Sequence, residues 1–332
     1  MILTYKIKHN SNLMLELEKA RKVALFALKT GSLSSASVKH LGLKSMIANQ
    51  ILRKYGKNKK IKRVSSVNLT IPNQGIKAKE NVLYIPCLKI SLEFNKSFEK
   101  VNQIELNKEY AFVSVTVKEA SEIEPKQYLG IDLNATGHCA VVANETTGKV
   151  LKLGKKANHT HLKYKNARKR FQKKAKYILV KKTKGRESRI VRDLNHKISR
   201  RIVNEAVSQN AGIVMEDLKG VRKTKKQAKS FKYSLHSWSF FQLKQFVEYK
   251  AKLLGIPVFK IDPRYTSQQC SRCGLLGNRN GKSFKCPACG HVEHADVNAA
   301  FVIAERHTGI VRLPVVRDIG KGSTDTPERA TV

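Results

Sequence analysis

The sequence predicts an α/β protein of two domains: a small β-rich domain with a helical insertion, then a larger α/β domain interrupted near its end by a four-cysteine ribbon. Three observations point there. Helical and strand-like periodicities alternate along 332 residues, a length that suggests two domains at roughly 150 residues each. Four of the six cysteines fall into two C-x2-C pairs. Finally, 65 Lys+Arg against 25 Asp+Glu give a net charge of +40, which calls for a polyanionic partner. The 41% of apolar residues suffices for real cores and excludes a wholly disordered basic tail.

In chain order, residues 2–8 read as a strand. Apolar residues then recur at helical spacing over 12–29, ending at Gly31, and over 35–55. From Val64 the pattern changes to short β-rich runs, VSSVNLTI, VLYIPCLKISLEF and YAFVSVTV. This predicts a β-barrel domain over 1–126 with a helical insertion at about 11–57, closed by a charged, proline-containing linker at 120–126.

The second domain opens with QYLGIDLNATGHCAVVANETTGKVLKLG, three strands of an antiparallel meander with turns at Ala135–Gly137 and Glu145–Gly148. Between Lys152 and Arg201 there are twenty Lys+Arg and two acids. Yet Ile190, Leu194, Ile198, Ile202 and Ala206 recur every four residues, so the charge decorates a helix, and a helical hairpin broken near Gly185 is expected. AGIVMEDL (211–218) reads as a buried strand ending in two carboxylates, followed by a basic stretch from Lys219 to Lys232. Trp238–Leu254 is an amphipathic helix stopped by Gly255, and IPVFKIDP is a strand. The cysteine cluster, a helix from about Ala295 to Ala304 and a polar tail complete the chain.

The longest early apolar run, Val23 to Leu28, is far short of the ~20 residues that span a bilayer, and no signal-peptide pattern opens the chain. An intracellular protein without membrane partners or disulfides is the expectation. Cys270 and Cys273, then Cys286 and Cys289, flank a segment rich in Gly, Asn and Lys, and Gly274 and Gly290 follow the two pairs. Four thiolates at this spacing make a closed tetrahedral zinc site, structural because no position is left open. His291 and His294 are then surplus as ligands, and Cys87 and Cys139 read as small buried residues.

Residues 1–131 contain no aspartate. The first, Asp132, lies in an apolar strand, Glu216 ends another, and Asp296 opens the helix after the cysteines. Singly each could be a cap or turn residue. Jointly, in so basic a chain, they suggest carboxylates gathered around divalent cations. Mg2+ takes a few carboxylates and keeps water, and two such ions ~4 Å apart serve in-line phosphodiester displacement.

GIDLN, IVMEDLKG and HADVNAA around these acids resemble the three motifs of a RuvC nuclease, a member of the RNase H-like fold. LNHKISRRIV (194–203), LHSWSFFQLKQFVEYKAKLLGIPV (235–258) and DPRYTSQQCSRCG (262–274) resemble the OrfB/TnpB proteins of insertion sequences, relatives of type V CRISPR effectors. The resemblance spans 127 to about 305; before that it rests on arrangement alone. It implies a wedge and recognition region over 1–126, a RuvC-like nuclease domain over 127–267, a zinc ribbon over 268–292, a RuvC-like closing helix over 293–310 and a flexible tail over 311–332. It further implies Asp132, Glu216 and Asp296 as catalytic Mg2+ or Mn2+ ligands, and Cys270, Cys273, Cys286 and Cys289 as zinc ligands. The activity implied is RNA-guided DNA cleavage by a transposon-encoded endonuclease in the prokaryotic cytoplasm, associated with the nucleoid when bound to DNA, with DNA and an element-derived guide RNA as partners. A transposase acting directly on transposon ends and a non-cleaving guided regulator are the alternatives.

A net +18 over 152–201 would repel itself unless neutralised, and counterion release favours binding to phosphates. Tyr164, Phe171, Tyr177, Phe231, Tyr233 and Trp238 are interspersed with these charges and could stack on bases, although at helical spacing core packing is the commoner role.

Overall fold

The computed structural model describes residues 1–58, 60–134, 136–218 and 240–309. The basic stretch 219–232, the aromatic residues Phe231, Tyr233 and Trp238, and the tail from 310 lie outside the described residues, as does Ala135 of the expected turn. The chain divides into two compact units after Lys118.

In the first unit β1 (Ile2–Lys8) leads into α1 (Met14–Thr30), which ends at Gly31 in the left-handed conformation. The second expected helix is broken. Residues Ser35–Leu41 form a 3-10 turn and only Ser45–Gly56 form α2, because Gly42 at φ 67° reverses the chain between them. The β-rich part contains β2 (Leu69–Pro72), β3 (Lys77–Lys79), β4 (Val82–Ile85), β5 (Ile90–Glu93), β6 (Lys100–Leu106) and β7 (Tyr110–Thr116). These make two sheets, a four-stranded β1-β7-β6-β2 and a three-stranded β3-β4-β5.

The second unit is built on a five-stranded sheet in the order β10-β9-β8-β11-β12. Strands β8 (Gln127–Leu133), β9 (Ala140–Asn144) and β10 (Val150–Leu153) form the expected antiparallel meander. β11 (Ala211–Glu216) adds parallel to β8, and β12 (Val258–Ile261) parallel to β11. Parallel neighbours need a crossover, usually helical: α3 (Lys155–Lys173) and α4 (Tyr177–Ser208) precede β11, and α5 (Phe240–Leu253) precedes β12.

Two expectations are corrected here. The helical hairpin turns at Lys174–Lys176, with Ala175 at φ 50°, and Gly185 lies inside the 32-residue α4. One glycine costs a helix only about 1 kcal/mol, and α4 packs against α3, with Glu187 tied to His161 and Arg168. Residues 120–126 are not a free linker: Ala120 and Ile123 donate backbone hydrogen bonds to Leu253 and Gly255.

Between β12 and the last helix α6 (Ala295–Thr308) lies a small three-stranded sheet of β13 (Asn278–Asn280), β14 (Ser283–Lys285) and β15 (Val292–His294). No described helix is long and apolar enough to cross a membrane.

Candidate metal centre and its surroundings

Successive side chains of a strand point to opposite faces, and this parity sorts the site. Leu129, Ile131 and Leu133 of β8 and Ile213 and Met215 of β11 belong to the core shared with α4 and α5. Val141, Ala143, Val297 and Ala300 form a second core on the face covered by α6. The remaining set on β8 and β11, Gly130, Asp132, Val214 and Glu216, therefore looks toward α6. Register completes the placement: Met215 pairs with Ile131 across the parallel ladder, so Glu216 and Asp132, one residue on, end neighbouring strands side by side.

Gly130 brings the third acid to them. A Cβ there would lie 2.0 Å from the Ala300 carbonyl oxygen and 2.6 Å from the Ala304 nitrogen, so α6 rests directly on the β8 backbone. Its N-terminus, carrying Asp296, is thereby delivered to the ends of β8 and β11. His294 is the N-cap of α6, its Nδ1 accepting the Asp296 N–H at 3.3 Å, so Asp296 is not the cap of its own helix.

Asp132 and Asp296 are buried, at 8% and 1% exposure, and Glu216 is half-buried. Burial, with the nearby negative charges of Glu216 and Asp296, pushes the Asp132 carboxyl up to about 7. Burial also raises Glu216, against the pull of its Thr266 hydrogen bond and of Arg306, Arg279 and Lys244. Each carboxylate has an internal partner. Asn134 Nδ2 donates to Asp132 Oδ2 at 2.8 Å, and the Thr266 hydroxyl donates to Glu216 Oε1. Arg279 Nη2 and Lys282 Nζ lie 3.0 and 2.5 Å from the two oxygens of Asp296. Among the described residues the cysteine cluster alone brings its ligand atoms within 4.8 Å of one another. A largely buried all-oxygen donor set whose charge is balanced by side-chain cations nonetheless suits hard divalent ions.

The sequence singled out the acids as candidates but not the groups that contact them. Thr266 is 3% exposed. Lys244, also buried, donates to the Glu216 carbonyl and to Asp217 Oδ1. Arg306 bonds Gln269 and the carbonyls of Asp262 and Arg264, and burial lowers it to about 10. Arg279 and Lys282 come from the β13–β14 hairpin, where the only signal was the turn-forming Asn280-Gly281.

The four cysteine sulfurs lie within 4.8 Å of one another, with Cys270–Cys289 at 3.7 Å and Cys273–Cys286 at 3.5 Å. A tetrahedron with metal–sulfur bonds of about 2.3 Å has edges of about 3.8 Å, so the cluster fits a zinc ion. Gly274 and Gly290 stand in the left-handed region, and each donates its N–H to the carbonyl of the first cysteine of its pair, at 2.9 and 3.0 Å. Burial lifts the Cys273 thiol to about 12, while the backbone of His291 brings Cys289 down to about 7.

The long basic hairpin packs α3 on α4, with Tyr177 at its tip 68% exposed, whereas Tyr164 and Phe171 are half-buried. Glu187, one of the two acids between Lys152 and Arg201, is absorbed by His161 and Arg168, and the other, Asp193, pairs with Lys197.

Residues 240–303 match the family described as Cas12f1-like, TNB domain. A TnpB-like protein of Methanocaldococcus jannaschii is 30% identical over 246 residues, 70% of this chain and 83% of that relative. The CRISPR-associated endodeoxyribonuclease Cas12f1 of Sulfoacidibacillus thermotolerans is 46% identical over 114 residues; this chain matches 26% of its length. A cryo-EM structure of a Cas12f1–sgRNA–target DNA complex aligns over 92% of this chain and 100% of that chain, with TM-score 0.47 and 16% identity. By its likeness to the Methanocaldococcus relative across most of that protein, the chain belongs to the TnpB-like (OrfB) family, which is related to the type V CRISPR effectors.

Proposed function

We infer that the chain is an RNA-guided, metal-dependent DNA endonuclease encoded by a transposable element. The observation that carries this reading is the trio of acids at one end of the mixed sheet, on the side covered by α6, Asp132 and Asp296 buried and Glu216 half-buried, with Asp132 pushed to about 7. Its family supports it, as does the likeness of a third of the chain to a protein named as an endodeoxyribonuclease. The second unit is then an RNase H-like nuclease domain of the RuvC type, over 127–267 and 293–310, with the ribbon of 268–292 inserted. The first unit takes the wedge role, with α1 and α2 as its recognition insertion.

Asp132, Glu216 and Asp296 would hold two Mg2+ or Mn2+ ions, which when bound supply an activated water and a stabilised leaving oxygen for in-line attack on a phosphodiester. The chain's own residues prepare that site. Asn134 and Thr266 fix the rotation of the Asp132 and Glu216 carboxylates, and ligands oriented in this way bind metal more tightly. Asp132 must be ionised to act as a ligand, so activity should rise with pH toward neutrality in limiting metal. Cys270, Cys273, Cys286 and Cys289 would hold zinc, whose role is to fold a ribbon with almost no core beyond Phe284 and Ala295. The cations of α3 and α4 would grip a nucleic-acid backbone, leaving sequence choice to base pairing.

The test is to express the chain with its native flanking DNA, purify it at moderate salt and sequence the RNA that accompanies it. A discrete RNA with a constant part and a variable end is expected. Random host RNA, or none, would contradict guidance, and specific binding to transposon ends without RNA would favour a transposase.

A further inference from the structure

The cations on Asp296 are delivered by the ribbon hairpin, and its geometry leaves little freedom in where they start. Strands β13 and β14 are joined by the two-residue turn Gly281–Lys282, with Asn280 paired to Ser283 and Gly281 at φ 58°, the position where a tight hairpin favours glycine. The Lys282 carbonyl accepts the N–H of Ala295, the first residue of α6, at 2.8 Å. Ser283 pairs with His294 in the β14–β15 ladder. The turn is thus tied to the start of the helix, and the side chain leaving it meets Asp296 one residue further on.

The two cations differ in their freedom. Arg279 also donates from Nε to the Gly281 carbonyl at 3.2 Å and has 26% side-chain exposure. Lys282 is 39% exposed, and apart from Asp296 its ammonium reaches only the Thr136 carbonyl, at 3.5 Å. One end of Lys282 is pinned by the backbone, and the other borders solvent.

We propose that Lys282 is an internal counter-cation of the acidic site: it neutralises Asp296 when no divalent ion is bound, it must leave that carboxylate when one binds, and it thereby sets the affinity of the site. The proposal rests on the reading of Asp132, Glu216 and Asp296 as a divalent-cation site. A carboxylate 1% exposed is strongly unfavourable without partners; Arg279 takes one of its oxygens and the Lys282 ammonium the other. An ammonium and a divalent ion on the same oxygen repel one another, so the two occupancies compete.

The experiment is a calorimetric Mn2+ titration of the full-length, zinc-loaded chain, comparing wild type with Lys282→Met, Lys282→Arg, Lys285→Met and Asp132→Asn. Lys282→Met is expected to tighten Mn2+ binding roughly tenfold, within the range seen when groups around metal ligands are changed. Lys282→Arg, which keeps the pair, and Lys285→Met, which removes the same charge from the adjoining strand, should bind as wild type does. Lys282→Met binding no more tightly while Asp132→Asn loses Mn2+ would overturn the counter-cation and leave the acidic site standing. Asp132→Asn binding Mn2+ like wild type would instead overturn the acidic site itself. A second measurement needs no variant: amine acylation of the wild-type chain, read by mass spectrometry, should modify Lys282 more when Mn2+ is saturating. Unchanged labelling would contradict its release.

Discussion

Replacing Asp132 by Asn should stabilise the metal-free protein while destroying its metal site. Asp132 stands at about 7 instead of 3.8 in the folded chain. Each unit corresponds to about 1.36 kcal/mol, so the ionised form costs the fold about 4 kcal/mol at most. Because the folded carboxyl holds its proton up to about 7 and the unfolded one loses it near 3.8, the folded state binds more protons across that window. Stability contributed at this position therefore falls as pH rises through the window, and the penalty is complete above it. Asparagine keeps an acceptor for the Asn134 amide and carries no charge. In EDTA at pH 8 the variant should melt higher, by up to on the order of 10 °C for a unit of this size, and at pH 4 the two proteins should melt together. Saturating Mg2+ should close the gap at pH 8 by stabilising only the wild type. Differential scanning fluorimetry across pH, with and without Mg2+, measures this. A difference that does not change with pH, or a variant no more stable than wild type in EDTA at pH 8, would refute the reasoning.

Gly130→Val should destabilise the second unit by more than about 4 kcal/mol, read as a lower urea midpoint, since the new Cβ meets the α6 backbone; a midpoint equal to wild type would show that α6 does not lie on β8. Cys270→Ser or Cys289→Ser should lose the zinc and lower solubility, and a soluble, zinc-loaded variant by elemental analysis would sink the structural-zinc assignment. Thr266→Val should leave Glu216 without its hydroxyl partner and raise the Mg2+ concentration needed for cleavage about 10–100-fold, with the rate at saturating Mg2+ much less affected. An unchanged Mg2+ dependence would remove Thr266 from the site.

Much of the second unit is readable because one physical signal dominates each stretch. Short apolar runs in YLGIDL and AGIVME suffice to assign β8 and β11, and two C-x2-C pairs need only local geometry to converge. The errors fall where two weak local preferences compete. Gly185 looked like the break of the helical hairpin, yet the turn forms at Ala175, a poorer residue for a positive φ, and the residues around Gly185 stay helical against α3, where Glu187 pairs with His161 and Arg168. Conversely, 35–55 has helical periodicity throughout, but Gly42 adopts a left-handed conformation that the pattern of apolar residues does not reveal. The partners of the acids were illegible for a different reason. Lys282 and Arg279 are two of 65 basic residues, and nothing local separates a lysine on Asp296 from one on a solvated helix. Their contacts follow from the tie between the ribbon turn and the first residue of α6, a consequence of tertiary structure alone.

The most direct measurement is cleavage of a supercoiled plasmid library by the purified ribonucleoprotein. Each plasmid would carry the complement of the bound RNA's variable end beside randomised flanking sequence, and wild type would be compared with Asp132→Ala, Glu216→Gln and Asp296→Asn. The account predicts cutting only beside a particular flanking motif and only on the matched sequence, abolished by EDTA, restored by Mg2+ or Mn2+, and lost in all three variants although they still bind RNA and DNA. Cutting that persists in EDTA or in Asp132→Ala, or that ignores the RNA sequence, would contradict it.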